Sequence, residues 1–331
     1  MKRFDVCGLG NAIVDIFLDL SDADFQSLDF ERGTMVLVDK TTQDTLLSKF
    51  HDSVHDLVLV SGGSVANSVI AASQLGGKSA FIGCVGDDRY GLHYADEFQQ
   101  LEIEIGNPVL VGEATGTCLA IVTPDGERTM RTFLGVASHL AAKHVDHARI
   151  AESKWLFIEG YVFANPDTGQ HAIRQAIQIA KQEGTKVALT CSDGFIPAVF
   201  GDVFREALAQ SDLLFCNATE SMAITGAENP QLAFEKLKEM VPNCVVTDGH
   251  NGAFVRFEGT TGHVPTVPCE PRDLTGAGDM FAGAFLYGIT HGYDPLVSAK
   301  AANALSHRVI MQVGARLHHG AKELWAEATQ A

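Results

Sequence analysis

Residues 273–279 read Asp-Leu-Thr-Gly-Ala-Gly-Asp, and an apolar stretch rich in small residues, 280–287, follows them directly. A glycine-rich turn that opens a helix points free backbone N–H groups and the positive end of the helix dipole at one place. The pattern therefore predicts an anion-binding site at residues 276–278. Asp279 would lie in the first helical turn, where a carboxylate can deprotonate a hydroxyl group that attacks a phosphoryl group. The alternative is a capped helix whose aspartate complements the dipole.

A second glycine turn, at 61–64 (Ser-Gly-Gly-Ser), follows a strand-like apolar run and opens another helix-like segment. A third glycine pattern, at 8–13, reads Gly-Leu-Gly-Asn-Ala-Ile and resembles a dinucleotide-binding fingerprint. Its third glycine is replaced by Ile13, and Asp15 is too close to serve as the acidic residue expected about 20 positions later. A Rossmann dehydrogenase is therefore disfavoured.

Short apolar runs alternate with helix-length amphipathic segments along the chain. This alternation predicts an α/β fold: a doubly wound, mostly parallel central sheet with helices on both faces. The predicted strands are 4–9, 57–60, 80–85, 155–158, 186–190, 213–216 and 244–247. The predicted helices are 66–75, 91–101, 167–183, 203–210, 231–240, 277–291 and 295–313.

Two segments break this alternation, 16–39 and 108–135. Each holds two strand-like runs, and the second pair is joined by a Thr-Pro-Asp-Gly turn at 123–126. They predict a small β-sheet lid inserted into the larger fold. We therefore expect residues 1–331 to form one α/β domain with a lid.

The composition restricts the possible partners and location. The chain has 24 Lys and Arg residues against 41 Asp and Glu residues, a net charge of −17. Such a surface repels nucleic acid and anionic lipid. No apolar run approaches the roughly 18 residues of a membrane helix. The seven scattered cysteines do not form a Cys-x-x-Cys pair, which favours a reducing cytoplasm.

Taken together, the glycine turns at 61–64 and 273–279, in this order and spacing, resemble the two signatures of the ribokinase-like (PfkB) carbohydrate kinase family. The resemblance runs from Gly8 to Arg316. One departure is Leu274, where the family usually has Thr, Pro, Ser or Val. The resemblance implies that Asp279 is the catalytic base. The anion hole would then consist of Gly276, Ala277 and Gly278.

The same resemblance implies a site for ATP and Mg²⁺. Asn217 and Glu220 match a motif that organises magnesium through water; their alternative role is an N-capped helix. In many members a monovalent cation such as potassium binds near Asp273, Thr275, Ser306 and Gly314. The implied ATP-binding residues are Asn217, Thr247, Gly249, Gly252, Thr275, Gly278 and Asn303.

On the acceptor side, Asn and Asp four positions apart resemble the spacing in adenosine kinases, whereas ribokinases tend to place them two apart. A cysteine on the lid strand near the base, and two apolar or aromatic walls, complete the resemblance to the adenosine kinase-like subgroup. The implied acceptor-binding residues are Asn11, Asp15, Gly62, Gly63, Asn67, Cys118, Leu134 and Tyr161. Arg128 and Arg131 lie on the predicted lid hairpin, where one could close over the phosphates or both could face solvent.

These features predict an ATP-dependent, magnesium-requiring kinase that phosphorylates a primary hydroxyl, the 5′-hydroxyl of adenosine or a related purine nucleoside being favoured. A sugar kinase for ribose, fructose or a related carbohydrate is the alternative within the family. A non-catalytic ligand-binding protein on the same scaffold is the rival from another class. The chain would be a monomer or a homodimer joined through the lid.

Overall fold

The computed structural model describes residues 2–50, 58–125 and 127–330. The strands in these ranges are β1 (Phe4–Leu9), β2 (Ile13–Asp19), β3 (Met35–Leu37), β4 (Val58–Gly62), β5 (Ser79–Ile82), β6 (Val85–Gly86), β7 (Glu104–Ile105), β8 (Val109–Leu110), β9 (Gly116–Val122), β10 (Arg128–Phe133), β11 (Ser153–Ile158), β12 (Lys186–Thr190), β13 (Leu213–Asn217), β14 (Cys244–Thr247), β15 (Ala253–Phe257) and β16 (Thr260–Val264). The helices are α1 (Asp22–Gln26), α2 (Lys40–Phe50), α3 (Ser64–Gln74), α4 (Arg89–Gln100), α5 (His147–Ala151), α6 (Gly169–Glu183), α7 (Phe195–Val199), α8 (Gly201–Leu208), α9 (Ala218–Thr225), α10 (Pro230–Met240), α11 (Ala277–Thr290), α12 (Pro295–Ile310) and α13 (Ala321–Gln330). Short 3-10 helices occupy Gly135–His139, Ala142–His144, Gly160–Ala164 and Gly249–Asn251.

The main sheet has the strand order β16-β15-β14-β13-β12-β11-β1-β5-β7. All neighbours from β14 to β7 are parallel, and β15 and β16 add an antiparallel edge. Helices α3, α4, α11, α12 and α13 bury their apolar faces in one core, and α5, α6, α8, α9 and α10 in another. The predicted doubly wound, mostly parallel sheet with helices on both faces is confirmed. The carboxyl ends of its parallel strands share one edge, where ligands bind in open α/β sheets.

The small sheet has the order β3-β10-β9-β2-β4 and forms the lid. The prediction of 57–60 as a buried core strand is wrong, because β4 is an edge strand of the lid, antiparallel to β2. Val58 is 59% exposed, so the short apolar run did not indicate a strand that is buried on both faces. Residue 57 lies outside the described residues. Strand β8 pairs with β6 and not with the lid.

The remaining differences from the predicted elements also have physical causes. The segment between β2 and β3 contains the short helix α1, capped by the Ser21 hydroxyl, which accepts from the Asp24 N–H. Helix α2 was missed because few of its residues are apolar and only Gln43, Leu46 and Phe50 are buried. Strands β15 and β16 were missed because edge strands with alternating burial have no continuous apolar run. The proposed 123–126 turn includes residue 126, which lies outside the described residues.

No helix within residues 2–50, 58–125 and 127–330 has both the length and the apolar character needed to cross a membrane. The prediction that residues 1–331 form one domain stays a prediction. It is supported by the lid connections, because only three residues separate β1 from β2 and only one separates β4 from α3.

Helices α3 and α11 approach each other closely at the centre of the first core. Gly283 on α11 faces the backbone carbonyl of Ser68 on α3, and a Cβ at Gly283 would overlap that oxygen. The methyl group of Ala71 also lies against this position, 2.8 Å from where the Cβ would be. The absence of a side chain at Gly283 therefore sets the distance between the two helices, and with it the distance between their first turns.

We expect Gly283→Ala to lower the free energy of unfolding by about 1–3 kcal/mol, because an added methyl group must push two packed helices apart. Denaturant unfolding of the two proteins measures this difference. Gly194→Ala is the matched control: its backbone is already right-handed (φ −63°) and a Cβ there meets no atom within 4 Å. Equal destabilisation by both substitutions would contradict the packing argument.

Candidate active site

The predicted anion turn lies at the start of α11. Gly276 has a left-handed backbone (φ 76°) and precedes the helix, and a Cβ there would overlap Ala315. The Thr275 N–H donates to Asp273 Oδ1 at 3.0 Å, which fixes the loop that enters the turn. The Ala277 N–H donates to the Leu274 carbonyl at 3.3 Å. The helix dipole and the unpaired first-turn N–H groups of α11 point out of this turn, as an anion site requires.

Asp279 is held by side chains of another helix. Its carboxylate accepts from the Ser64 hydroxyl at 2.7 Å and from Asn67 Nδ2 at 3.1 Å, both in the first turns of α3. Burial raises the pKa of Asp279 to about 6, although these two donors lower it. A capping role does not describe these contacts, because neither partner is a backbone group of α11. The carboxylate is positioned as a base would be.

Four of the predicted acceptor residues meet around the two chain connections to the lid. Asp15 on β2 lies against Gly62, where a Cβ would be 2.6 Å from Asp15 Oδ2. Gly63 (φ 108°) precedes α3 and touches the Asn11 carbonyl. Burial raises the pKa of Asp15 to about 6, and Arg316 and Arg128 lower it. The buried Asn11 Oδ1 has no partner among the described residues, so it can accept from a hydroxyl of an acceptor. Asn67, the fifth, links this cluster to Asp279.

Glu159 belongs to the same site and was missed by the sequence analysis. It follows β11 and is buried, and its Oε1 accepts from Asn11 Nδ2 at 3.0 Å. Its Oε2 accepts from the Val65 N–H at 3.1 Å, at the start of α3. Burial raises the pKa of Glu159 to about 8, despite these donors. The available signal was its position, because it is an acidic residue at the carboxyl end of a predicted parallel strand.

Arg316 was quoted only as the end of the family resemblance, yet its side chain lies in the site. Its Nε donates to Asn67 Oδ1 at 3.3 Å and its Nη1 to Glu97 Oε1 at 2.9 Å. Glu97 Oε2 in turn accepts from the Ser61 N–H at 2.7 Å, at the end of β4. Burial raises the pKa of Glu97, but Arg316 and the Ser61 N–H outweigh it, and the net pKa is lowered. This chain of contacts ties the lid connection to α3, α4 and the C-terminal segment.

Five of the seven predicted ATP-binding residues line a cavity of about 490 Å³ beside the anion turn, and Asn217 and Thr275 are not among the lining residues. Thr247, Gly249, Gly252 and Asn303 all contribute to its wall, together with Ala277 and Gly278. The Asn303 Nδ2 group is 3.3 Å from the carbonyls of Val264 and Pro265, so it holds the wall in place. Thr275 lies in the entering loop. The unpredicted lining residues are Thr266, Val267, Cys269, Pro271, Leu274, Phe281, Ser306, His307, Ile310 and His250.

Asn217 and Glu220 form a reciprocal cap at the start of α9. Asn217 Oδ1 accepts from the Glu220 N–H, and Glu220 Oε2 accepts from the Asn217 N–H, both at 2.9 Å. The N-capped helix of the alternative interpretation is therefore present. Burial raises the pKa of Glu220 to about 7; the Asn217 N–H lowers it, and the charges of Asp193 and Asp279 raise it.

This donor set fits a magnesium ion that is held mainly through water and phosphate oxygens. Among the described residues, no group of three or more His, Cys, Asp or Glu side chains is arranged to hold a metal ion. Mg²⁺ commonly keeps several waters and binds through one or two carboxylates plus substrate phosphates. Glu220 lies in electrostatic range of Asp279, so an ion between them would relieve the mutual repulsion of the two carboxylates.

The predicted base-side residues fall into two groups. Cys118 on β9 packs with Ile13, Ala137 and Leu134, and it faces Asp15 across the β2–β9 pair. Leu134 also lines a second cavity of about 490 Å³ between the lid and the 112–114 loop. Tyr161 has its ring 6.2 Å from that of Phe195. Burial and the nearby charges of Asp193, Glu159 and Asp279 raise its pKa, so it lies near the carboxylates of the site and its role stays a prediction.

The two lid arginines do not face solvent, so that alternative is wrong for both. The Arg131 guanidinium lies 4.0 Å from the Phe30 ring centroid and donates to the Thr34 carbonyl at 3.1 Å. Arg128 reaches out of the lid, with its Nη2 3.0 Å from Asp273 Oδ2 at the start of the anion loop. No local sequence pattern indicated this ion pair, because its partners are 145 positions apart.

Comparison with known proteins agrees with this geometry. Residues 35–319 match the model of the pfkB family carbohydrate kinases. Adenosine kinase from Saccharomyces cerevisiae is 28% identical over 92% of this chain and 94% of its own length. Ribokinase from Haemophilus influenzae is 31% identical over 68% of this chain and 72% of its own length. The crystal structure of adenosine kinase from Sinorhizobium meliloti superposes with a TM-score of 0.87 at 31% identity, covering 98% of this chain and 99% of that one.

We expect Asp279→Asn to lower kcat by about 10²–10⁴-fold, the usual contribution of a general base, while the fold and ATP binding are retained. Because burial raises the pKa of Asp279 to about 6, the carboxylate loses its proton as pH rises, and wild-type kcat should rise between about pH 5 and pH 7. The residual kcat of the variant should not rise with pH over this range.

Complete pH profiles of kcat for both proteins measure this effect. Asp294→Asn is the control, since Asp294 caps α12 through two backbone N–H groups beyond the far end of α11. Near-native turnover of Asp279→Asn would show that Asp279 is structural.

Glu220→Gln should raise the magnesium concentration needed for half-maximal activity more than it raises the KM of the acceptor. Glutamine can still accept from the Asn217 N–H, but it removes the negative charge that orders the water ligands of the ion. Magnesium titrations at saturating ATP and acceptor provide the measurement. Glu235→Gln controls for a general change in charge, because the Glu235 side chain on α10 is exposed to solvent. An unchanged magnesium dependence would exclude Glu220 from the metal site.

Proposed function

The chain belongs to the pfkB family of carbohydrate kinases, and we propose that it transfers the γ-phosphoryl group of ATP to the 5′-hydroxyl of adenosine or a related purine nucleoside. Kinase activity with ATP as donor, and normally with magnesium, follows from the family. The observation that carries the proposal is the position of Asp279. Its neighbour Gly278 lines the nucleotide cavity, while its carboxylate contacts Asn67 of the acceptor cluster.

In the proposed reaction Asp279 accepts the proton of the acceptor hydroxyl. The acceptor oxygen forms a bond to the γ-phosphorus as the bond from that phosphorus to the leaving oxygen of ADP breaks. Backbone N–H groups of Gly276 and Gly278 stabilise the negative charge that develops on the transferred group. The third predicted member of the anion hole, Ala277, already donates its N–H to the Leu274 carbonyl at 3.3 Å. Magnesium near Glu220 would neutralise charge on the phosphates. Asn11 and Asp15 would orient the acceptor diol, because amide and carboxylate oxygens accept from hydroxyl groups.

Three observations favour a nucleoside over a free sugar. Asn11 and Asp15 keep the four-residue spacing, and both lie at the base of the lid. The predicted base-side residues Cys118 and Leu134 pack in one cluster, and Leu134 lines a cavity of about 490 Å³. The relatives named adenosine kinase match this chain over more of its length than the ribokinase does. A sugar kinase acting on ribose, fructose or a related ketose remains the alternative, and the ribokinase similarity supports it.

The other assignments extend the same proposal. Small-molecule binding without nucleic acid is supported by the net charge of −17, and a cytoplasmic location by the seven free cysteines. The oligomeric state is open between a monomer and a dimer joined through the lid. The exposed edge strand β3, in which Met35, Val36 and Leu37 are 45–59% exposed, offers a surface for the dimer.

The acceptor is tested by comparing kcat/KM for adenosine, inosine, guanosine, ribose and fructose at fixed ATP and magnesium. Adenosine should give the highest value, because each well-stacked base contact contributes about 1–3 kcal/mol that a free sugar cannot obtain. Leu134→Ala should lower kcat/KM for adenosine by about 10-fold and leave that for ribose nearly unchanged, since about 1.4 kcal/mol corresponds to a factor of ten.

Leu232→Ala, on exposed α10, serves as the control variant for this comparison. A higher kcat/KM for ribose or fructose than for every nucleoside would establish the sugar-kinase alternative. Absence of ATP consumption with all five acceptors would support the non-catalytic rival.

A further inference from the structure

The neighbourhood of Asp273 is where the family resemblance implies a monovalent cation. Asp273 contributes the one carboxylate among the four residues that the resemblance names. Both of its oxygens are already used by backbone donors: Oδ1 accepts from the Thr275 N–H at 3.0 Å and Oδ2 from the Gly314 N–H at 2.8 Å. The Ser306 hydroxyl donates to the Ala277 carbonyl at 2.9 Å. A carboxylate that serves as an acceptor in this way holds the 273–279 loop against the 314–316 segment.

A positive charge is already present at this carboxylate, and it comes from the lid. Arg128 Nη2 is 3.0 Å from Asp273 Oδ2, and the two side chains are only 7% and 5% exposed. The guanidinium also lies 4.9 Å from the ring centroid of Phe17 on the neighbouring lid strand β2. Arg128 Nε and Nη2 are buried and have no hydrogen-bond partner among the described residues, so the contact with Asp273 is an interaction of charges, and the ring of Phe17 adds a cation–π contact. A guanidinium keeps its positive charge in all ordinary conditions.

A guanidinium fits these residues better than a monovalent cation does. An added ion would lie beside a like charge in a buried site, where charges repel strongly. It would also compete for a carboxylate that already has a charged partner and two backbone donors. Removal of the arginine, in contrast, would leave the buried charge of Asp273 without a counter-charge, which is the situation in which an ion binds.

We propose that the Arg128 guanidinium occupies the role of the monovalent cation in this chain, so that catalysis and stability do not depend on potassium. The proposal goes beyond the identity of the acceptor and holds for a nucleoside or a sugar. It also means that the charge supporting the anion loop is carried by the lid. One ion pair therefore couples the 273–279 loop to the lid strand β10. In an enzyme that binds a monovalent cation here, the state of the loop would instead depend on the salt present.

The first test uses the wild-type chain without acceptor or ATP. Its Tm is measured in potassium, sodium, caesium and choline chloride at equal ionic strength. A bound ion stabilises the folded state by mass action, so a specific site would shift Tm by about 2 °C or more in one salt over choline. We expect no such shift, and we expect kcat/KM with the best acceptor to change less than about twofold between potassium and choline. A specific potassium shift in Tm, or activity that requires potassium, would overturn the proposal.

The second test asks whether loss of Arg128 makes the protein require potassium. In Arg128→Gln, potassium should raise Tm and activity relative to choline, because an ion can now neutralise Asp273. The double variant Arg128→Gln with Asp273→Asn should lose this response, and Arg131→Gln, on the same strand with no contact to Asp273 among its described partners, should never show it. An Arg128→Gln protein that folds and ignores potassium would overturn the proposal.

If Arg128→Gln does not fold, crystals of the wild-type protein soaked in rubidium decide the question. An anomalous peak within coordination distance of Asp273 would overturn the proposal. If rubidium fully occupies other sites in the crystal and no peak lies at Asp273, the proposal is supported. Because Tm and anomalous scattering need no acceptor, a failure of the adenosine proposal leaves these results interpretable.

Discussion

The contact between α3 and α11 determines where Asp279, the anion turn and Asn67 lie relative to one another. Gly283 lets the two helices approach until backbone and methyl group touch, and their first turns then lie side by side. The first turn of α11 supplies the anion turn and Asp279, and the first turns of α3 supply Ser64 and Asn67, which hold the Asp279 carboxylate. The predicted base, the predicted anion site and the amide predicted to bind the acceptor thus share one rigid junction, and rigid elements position catalytic groups more accurately than loops do.

The site concentrates carboxylates in a protein interior where each is costly. Burial raises the pKa values of Asp15, Glu159, Glu220 and Asp279 together. Arg316 and Arg128 lower the pKa of Asp15 in part, whereas hydrogen-bond donors lower those of Glu159, Glu220 and Asp279 in part. Raised pKa values have a consequence for stability. The unfolded chain releases these protons at lower pH than the folded chain, so folding loses free energy as pH rises from about 4 toward the folded values. The protein retains these groups for what they bind.

The parts that could be predicted from the sequence are those where local chemistry determines the geometry. The Gly-Ala-Gly turn required α11 to begin at Ala277, and it does. Strands 4–9, 186–190 and 244–247 coincide with β1, β12 and β14 because they are buried on both faces and therefore continuously apolar. Strand β4 was assigned to the wrong sheet, since an apolar run of four residues (57–60) does not encode which strand it pairs with. Glu159 was indicated only by its position after a predicted parallel strand. The Arg128–Asp273 pair depends on long-range topology, which no local pattern in a single sequence reports.

The lid connections explain why binding of the acceptor is coupled to the position of the lid. The chain enters the lid through Asn11 and leaves it through Gly62 and Gly63, and these same residues surround the proposed acceptor. Asp15 travels with the lid on β2, whereas Asn67 and Asp279 stay on the main domain. Any rotation of the lid therefore changes the distance from the diol-binding carboxylate to the base. An acceptor that binds both sides would favour the closed arrangement by the difference in its contacts between the two states. Arg128 adds to this, because its ion pair with Asp273 forms only where the lid lies against the anion loop.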